Sequence, residues 1–156
     1  MKTNKLNSIL SSVAVVAIAA LFLFLIAPAV NLDASSCRGY DLMFGNDAIQ
    51  PALVSPLGAF IAVFVVSIVA AVFSGVGAIF YGIDKQEQSH KFCAFLLVIA
   101  GLGMAASAVA FFLSPMFFAE YGYETALAWG AIASGACSAV AAVASLVAGV
   151  KGFLVK

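Results

Sequence analysis

Four long apolar stretches without a single charged side chain decide what this chain can fold into. They run over residues 9–30, 52–82, 92–113 and 125–150. A helix rises about 1.5 Å per residue, so about 20 residues cross the hydrocarbon core of a bilayer. Backbone polar groups in lipid must be satisfied internally, and the stretches lack the alternating pattern of barrel strands. The sequence therefore predicts an all-α membrane protein with four transmembrane helices.

Composition and charge support the same class of protein. The chain is 65% hydrophobic and 9% charged, whereas soluble domains are roughly 45–50% apolar and about 25% charged. Its formal net charge is zero, so no basic field attracts nucleic acid. We expect one transmembrane domain over residues 1–156, because this length leaves no room for a separate soluble module.

The first stretch also resembles a secretory signal. Lys2 and Lys5 precede it, and Ala27-Pro28-Ala29 imitates a cleavage site. Its apolar run over residues 9–26 exceeds the roughly 7–15 residues of a signal peptide, so we expect an uncleaved helix. Cleavage would leave three spans.

The basic residues predict the orientation, because they resist translocation when they lie in short loops. All lysines fall before the first span, between the second and third, or after the fourth, which are connections on one side of the membrane. The connections on the other side contain a single basic residue, Arg38. We predict an antiparallel four-helix bundle, N-in and C-in, in a bacterial cell membrane. Residues 83–91 form its cytoplasmic loop, and residues 31–51 and 114–124 form its outer loops.

Small residues at four-residue spacing form ridges that let helices approach closely. The predicted packing positions are Gly75, Gly101, Gly130, Ser134 and Ser138. Packing within one chain is favoured over packing between copies, because the large residues of the first span suit lipid or large-to-small contacts.

Candidates for chemistry are few. No Asp, Glu, Lys, Arg or His falls inside the predicted spans, although ion pathways usually carry such a residue. Serines in the spans are expected to bond their own helix. His90 stands in the cytoplasmic loop without a catalytic partner, and we expect it to be solvated. Cys37, Cys93 and Cys137 form neither a zinc motif nor a disulfide framework. The sequence predicts no catalytic residue, no metal and no cofactor.

The first outer loop is unusually apolar for a solvated connector. Its candidate interaction residues are Arg38, Tyr40, Asp41, Leu42, Met43 and Phe44. Exposed apolar surface costs about 25 cal/mol per Å², so the large side chains should pack on the bundle, the membrane surface or a partner, with the bundle favoured. Arg38 and Asp41 are expected to pair locally, and Gly45-Asn46 to form a turn. We expect the Cys37 thiol to be buried and unpaired, with a link between two copies as the alternative.

The segment Gly39–Gly45 resembles the first outer loop of small uncharacterised bacterial membrane proteins with four helices and a G-aromatic-x-x-x-F-G motif. That resemblance covers the layout of the whole chain and implies no activity. The layout is also similar to that of claudin-like tetraspan proteins. Their W…GLW…C…C loop signature is absent, since the loop has no Trp and only Cys37, so none of their roles is carried over.

These features favour a noncatalytic structural, accessory or interaction subunit that uses its packing ridges and its first outer loop. Besides the lipid bilayer, we expect a membrane-protein partner or a second copy. The alternative is a small transporter or channel, either as a single chain or as an oligomer. A water-filled cavity among the last three spans would favour this alternative, and dry packing would not. A membrane enzyme would require a polar pocket joining Asp41, Glu120 and Glu124.

Overall fold

The computed structural model describes residues 2–32, 35–45, 58–83, 87–119 and 125–154. Its four long helices are α1 (Lys2–Phe24), α3 (Gly58–Ile83), α4 (Glu87–Phe112) and α6 (Trp129–Leu154). Two short helices, α2 (Gly39–Phe44) and α5 (Met116–Ala119), and three strands, β1 (Pro28–Leu32), β2 (Ser35–Arg38) and β3 (Thr125–Leu127), lie between them. Each long helix is long and apolar enough to span a membrane. The prediction of a mostly helical, multi-pass membrane protein is confirmed.

Each long helix packs against two others. Helices α1 and α4 both contact α3 and α6. The Ser8 hydroxyl near the start of α1 donates a hydrogen bond to the Ala78 carbonyl late in α3, at 2.9 Å. The Phe22 ring near the end of α1 meets Phe64 early in α3, with ring centroids 5.6 Å apart. The start of each of these two helices therefore lies beside the end of the other.

A three-stranded antiparallel sheet closes one end of the helices. Its central strand β1 pairs with β2 on one side and β3 on the other. Asn31 marks the register, because it lies opposite Ser36 on β2 and opposite Ala126 on β3. The sheet thus joins the connection after α1 to the connection before α6. We call this the sheet end, and the opposite end, where α1 and α4 begin, the far end.

The helices are shifted relative to the predicted spans. Helix α1 ends at Phe24, before residue 30, because residues 28–32 pair as β1, and α6 begins at Trp129 because residues 125–127 form β3. Hydropathy does not separate an apolar strand from an apolar helix, since both are buried or lipid-facing. At the far end, α1, α4 and α6 extend into their lysine-bearing residues. Residues 33–34, 46–51, 84–86 and 120–124 of the predicted loops, with the turn at Asn46, and residues 52–57 of the predicted second span lie outside the described residues.

Large apolar side chains are concentrated towards the sheet end. Phe60 and Phe111 are fully buried, with ring centroids 5.7 Å apart, and Leu25, Leu42 and Met43 belong to the same core. The far-end core is smaller and consists of Tyr81, Cys93, Leu97 and Ala148.

Candidate functional site

The start of α2 is fixed directly to the end of α1. The backbone N–H of Tyr40 donates to the Leu25 carbonyl at 3.1 Å. A Cβ added at Gly39 would lie 2.7 Å from the Leu25 side chain and 3.0 Å from its Cα. Only glycine fits this approach, because part of the obstruction is backbone. The first outer loop is therefore held against the bundle at a defined point.

Two of the candidate interaction residues are part of the core. Leu42 is 1% exposed and Met43 is fully buried. The expectation that the loop packs on its own bundle is confirmed for these two side chains. Tyr40 is half-buried, and its hydroxyl donates to the Phe22 carbonyl at 3.4 Å. Leu42, Met43 and the Tyr40 hydroxyl consequently secure the loop on α1 and the core.

Polar contacts define both ends of α2. The Asp41 carboxylate accepts a hydrogen bond from the backbone N–H of Arg38 at 2.8 Å, so the predicted local pairing runs through the Arg38 backbone. Gly45 ends the helix with a φ of 82°, a conformation that favours glycine, and its N–H donates to the Asp41 carbonyl at 2.9 Å. Asp41 therefore stabilises the short helix at its start and at its end.

Two exposed aromatic side chains lie at the sheet end, where α2 and the strands β1, β2 and β3 form what we call the platform. Phe44 and Trp129 are each 59% exposed. Phe44 stacks on Tyr40 with centroids 6.3 Å apart and meets Phe64 edge-on at 5.4 Å. Trp129 meets Phe24 edge-on at 6.2 Å. The Arg38 side chain is also exposed at the sheet end.

Cys37 lies on β2 with its thiol fully buried. Burial raises the pKa of Cys37 from 9.0 to about 11, and the negative charge of Asp41 adds to the shift. The thiolate is the reactive form of cysteine, so both effects suppress reaction at neutral pH. The structure thus favours the buried, unpaired thiol over a link between two copies.

Predicted packing positions lie at close contacts in two of the helices. A Cβ at Gly101 would lie 2.6 Å from the Leu146 side chain, and one at Gly130 would lie 2.5 Å from the Pro28 carbonyl oxygen. Ser134 and Ser138 are buried on the same helix as Gly130. These glycines are places where a larger side chain would separate touching segments.

Gly75 is a correction to the predicted ridge. Among the residues that the structure describes, no other segment lies within 4 Å of the position of an added Cβ. The buried face of α3 instead passes through Ser74 and Gly77, where a Cβ would lie 3.1 Å from the Leu97 side chain. The four-residue spacing identifies small residues on one face of a helix, but it does not show which face contacts a neighbouring helix.

His90 is a second correction, because the expected solvated side chain is only 5% exposed. Helix α4 begins at Glu87 and includes His90, whose ring lies 5.2 Å from that of Tyr81 on α3. The Tyr81 hydroxyl donates to the His90 carbonyl at 3.0 Å. A polar run such as residues 84–91 reads as a loop from hydropathy, although one side of its helical part faces the core.

Five of the buried serines form side-chain hydrogen bonds of two kinds. Ser67, Ser107 and Ser138 donate to carbonyls four residues earlier at 2.8–3.0 Å, as expected for serine in a membrane helix. Ser74 and Ser145 instead meet each other across the bundle, with hydroxyl oxygens 3.3 Å apart. The pairing joins α3 to α6, a contact that the sequence pattern does not reveal.

Within the described residues, no three histidine, cysteine or acidic side chains form a group able to hold a metal ion. Of the three acidic residues that a membrane enzyme would have to bring together, Glu120 and Glu124 lie outside the described residues. A groove of about 470 Å³ lies beside α1, lined mostly by apolar side chains that include Val13, Val16 and Val140.

Comparison of the chain with protein-family models, curated proteins and solved structures found no match.

Proposed function

We propose that the four long helices form an antiparallel transmembrane bundle in a cell membrane, with both termini in the cytoplasm. The order of contacts between α1 and α3 supports opposite directions for these helices. Lys5 and Lys91 are exposed at the far end, and Lys151 lies there near the end of α6. Lysines at one membrane boundary favour the cytoplasmic side, so the far end is cytoplasmic and the sheet end is outside.

On this bundle, we propose a noncatalytic structural or accessory role in which the sheet end binds a membrane-protein partner or a second copy. The observation that carries this proposal is that β1 pairs with both β2 and β3. This pairing joins the two outer connections into one platform. An ordered platform binds with little loss of conformational entropy. Arginine and aromatic side chains are enriched where protein partners bind, and Arg38, Phe44 and Trp129 supply them here.

A small transporter or channel is the weaker hypothesis. The contacts between α4 and α6 favour close packing: Gly101 approaches Leu146, and a Cβ at Gly149 would lie 2.9 Å from the Ala94 carbonyl oxygen. Helices in such contact leave little room for a continuous path between them.

Photo-crosslinking in intact cells tests the interaction role. A photoreactive amino acid replaces Arg38 or Phe44 at the platform, and Leu102 serves as the control because its side chain is 60% exposed on α4. We expect reproducible protein adducts from the two platform positions and lipid adducts from the control. The masses of the adducts distinguish a different partner from a second copy. Platform positions that yield no protein adduct, or no more than Leu102 yields, would contradict the proposal.

A further inference from the structure

Two polar side chains on α1 are fully enclosed in the bundle. Asn7 and Ser11 have no exposed surface. Among the described residues, none accepts from or donates to the Asn7 amide atoms or the Ser11 hydroxyl. The two residues are four positions apart, so they lie on the same face as the buried Ala14 and Ile18. Their polar atoms therefore point towards the core.

The nearest level of α3 carries another polar group. Ser8 contacts Ala78 and Phe22 contacts Phe64, so residue numbers increase along α1 in the direction in which they decrease along α3. This register puts Ser11 at the level of Ser74, whose hydroxyl contacts that of Ser145 on α6. Three helices thus supply polar side chains at one level of the far-end half. We call Asn7, Ser11, Ser74 and Ser145 the internal polar site.

The chemistry of the four side chains restricts what they can bind. The Asn7 amide offers two N–H donors and one acceptor oxygen, and a serine hydroxyl both donates and accepts. A cation would satisfy the oxygens but leave the Asn7 N–H groups unpaired. An anion would leave the Asn7 oxygen unpaired. The occupant must be small, neutral and able both to donate and to accept hydrogen bonds.

We propose that the internal polar site binds water inside the transmembrane bundle. Buried water is typically held by two to four polar groups that otherwise lack partners, which matches the unpaired atoms of Asn7 and Ser11. The serines that bond their own helices need no such occupant. This hydration is confined to the far-end half and does not depend on what the sheet end binds.

Water contacts can be measured by NMR on the intact chain in nanodiscs of deuterated lipid. With ¹⁵N-labelled asparagine and alanine, magnetisation transfer from water to the Asn7 side-chain amide reports a nearby water molecule. Asn31, whose side chain is exposed, is the positive control, and the backbone N–H of the fully buried Ala141 is the dry control. Loss of signals in Asn7→Leu assigns the amide. We expect a water cross-peak at Asn7 and Asn31 and none at Ala141.

A pair of serine variants tests whether the water sits at this site. Ser11→Ala removes one partner of the water and should weaken the Asn7 cross-peak. Ser138→Ala removes a hydroxyl that bonds its own helix, and should leave that cross-peak unchanged. A dry Asn7 amide in the unaltered protein would overturn the proposal, as would a cross-peak that Ser11→Ala does not weaken.

Discussion

Replacing Gly130 with alanine tests the junction between α6 and the strand that follows α1. The new Cβ would lie 2.5 Å from the Pro28 carbonyl oxygen, and 2.9 Å from both the Cβ and the carbonyl oxygen of Ala27. None of these atoms can rotate away, because all three are backbone or Cβ atoms. Overpacking of this kind costs about 1–3 kcal/mol. We therefore expect Gly130→Ala to lower the stability of the folded chain.

Gly75→Ala is the matched control, because it makes the same change in a helix, with no other segment of the described residues within 4 Å of the new Cβ. Alanine stabilises a helix interior by about 0.5–1 kcal/mol over glycine, and this gain is common to both variants. The two variants should thus differ by the overpacking cost of about 1–3 kcal/mol. In chains of this size about 1 kcal/mol shifts the midpoint by roughly 2–4 °C, so the midpoints should differ by at least about 2 °C. The assay is the monodisperse peak in size-exclusion chromatography after detergent-solubilised aliquots are heated. Equal midpoints would refute the close contact at Gly130.

Four further predictions concern three side chains, those of Cys37, Tyr81 and Asp41. The first compares, in purified protein at pH 8, native Cys37 with a cysteine introduced by Ser36→Cys in a Cys37→Ala background. The introduced cysteine should react with a soluble thiol reagent at least about 100-fold faster, because a pKa higher by about two units leaves Cys37 with about 100-fold less thiolate. Equal rates would contradict the burial of Cys37. Because the folded-state pKa is raised, the neutral Cys37 thiol contributes stability below pH 9.0 that is lost as the pH rises towards 11, and a Cys37→Ala variant should lack this loss in pH-dependent melting. Tyr81→Phe removes the bond to the His90 carbonyl and should cost about 0.5–1.5 kcal/mol in the heating assay; no change would mean that the bond is not formed. Asp41→Ala should cost about 0.5–2 kcal/mol while Asp41→Asn, which keeps an acceptor, costs less; equal losses would exclude a capping role.

The helices could be predicted from the sequence because their signal is local and one-dimensional. An uncharged apolar run of sufficient length identifies a span without knowledge of its neighbours. The same signal misplaced the ends of α1 and α6, because Pro28–Leu32 and Thr125–Leu127 are apolar enough to continue a helix. Their pairing joins residues that are far apart in the chain, and no local pattern encodes such a contact. The platform at the sheet end was therefore not predictable.

Which face of a helix meets a neighbour was only partly predictable. Small-residue spacing indicated Gly101 and Gly130, but it also indicated Gly75, whose added Cβ would touch no other segment in the described part of the chain. Polar residues near a helix end were read as loop, so the packing of His90 on Tyr81 was missed. Asn7 was missed for the same reason, since it precedes the uncharged run at residues 9–30 and is nevertheless fully buried.

A disulfide between β1 and β3 tests the platform and its location together. In a variant whose native cysteines are alanine, Asn31→Cys with Ala126→Cys places thiols on directly paired residues. Ser36→Cys with Ala126→Cys is the control, because these residues lie on either side of β1, roughly 9–10 Å apart, beyond the reach of about 7 Å between Cα atoms. In growing cells, the account predicts an oxidised first pair, detected by trapping free thiols and mass analysis, and a reduced control pair. A first pair that stays reduced in cells but oxidises after lysis would contradict the outside location of the sheet end, and one that never oxidises would contradict the sheet.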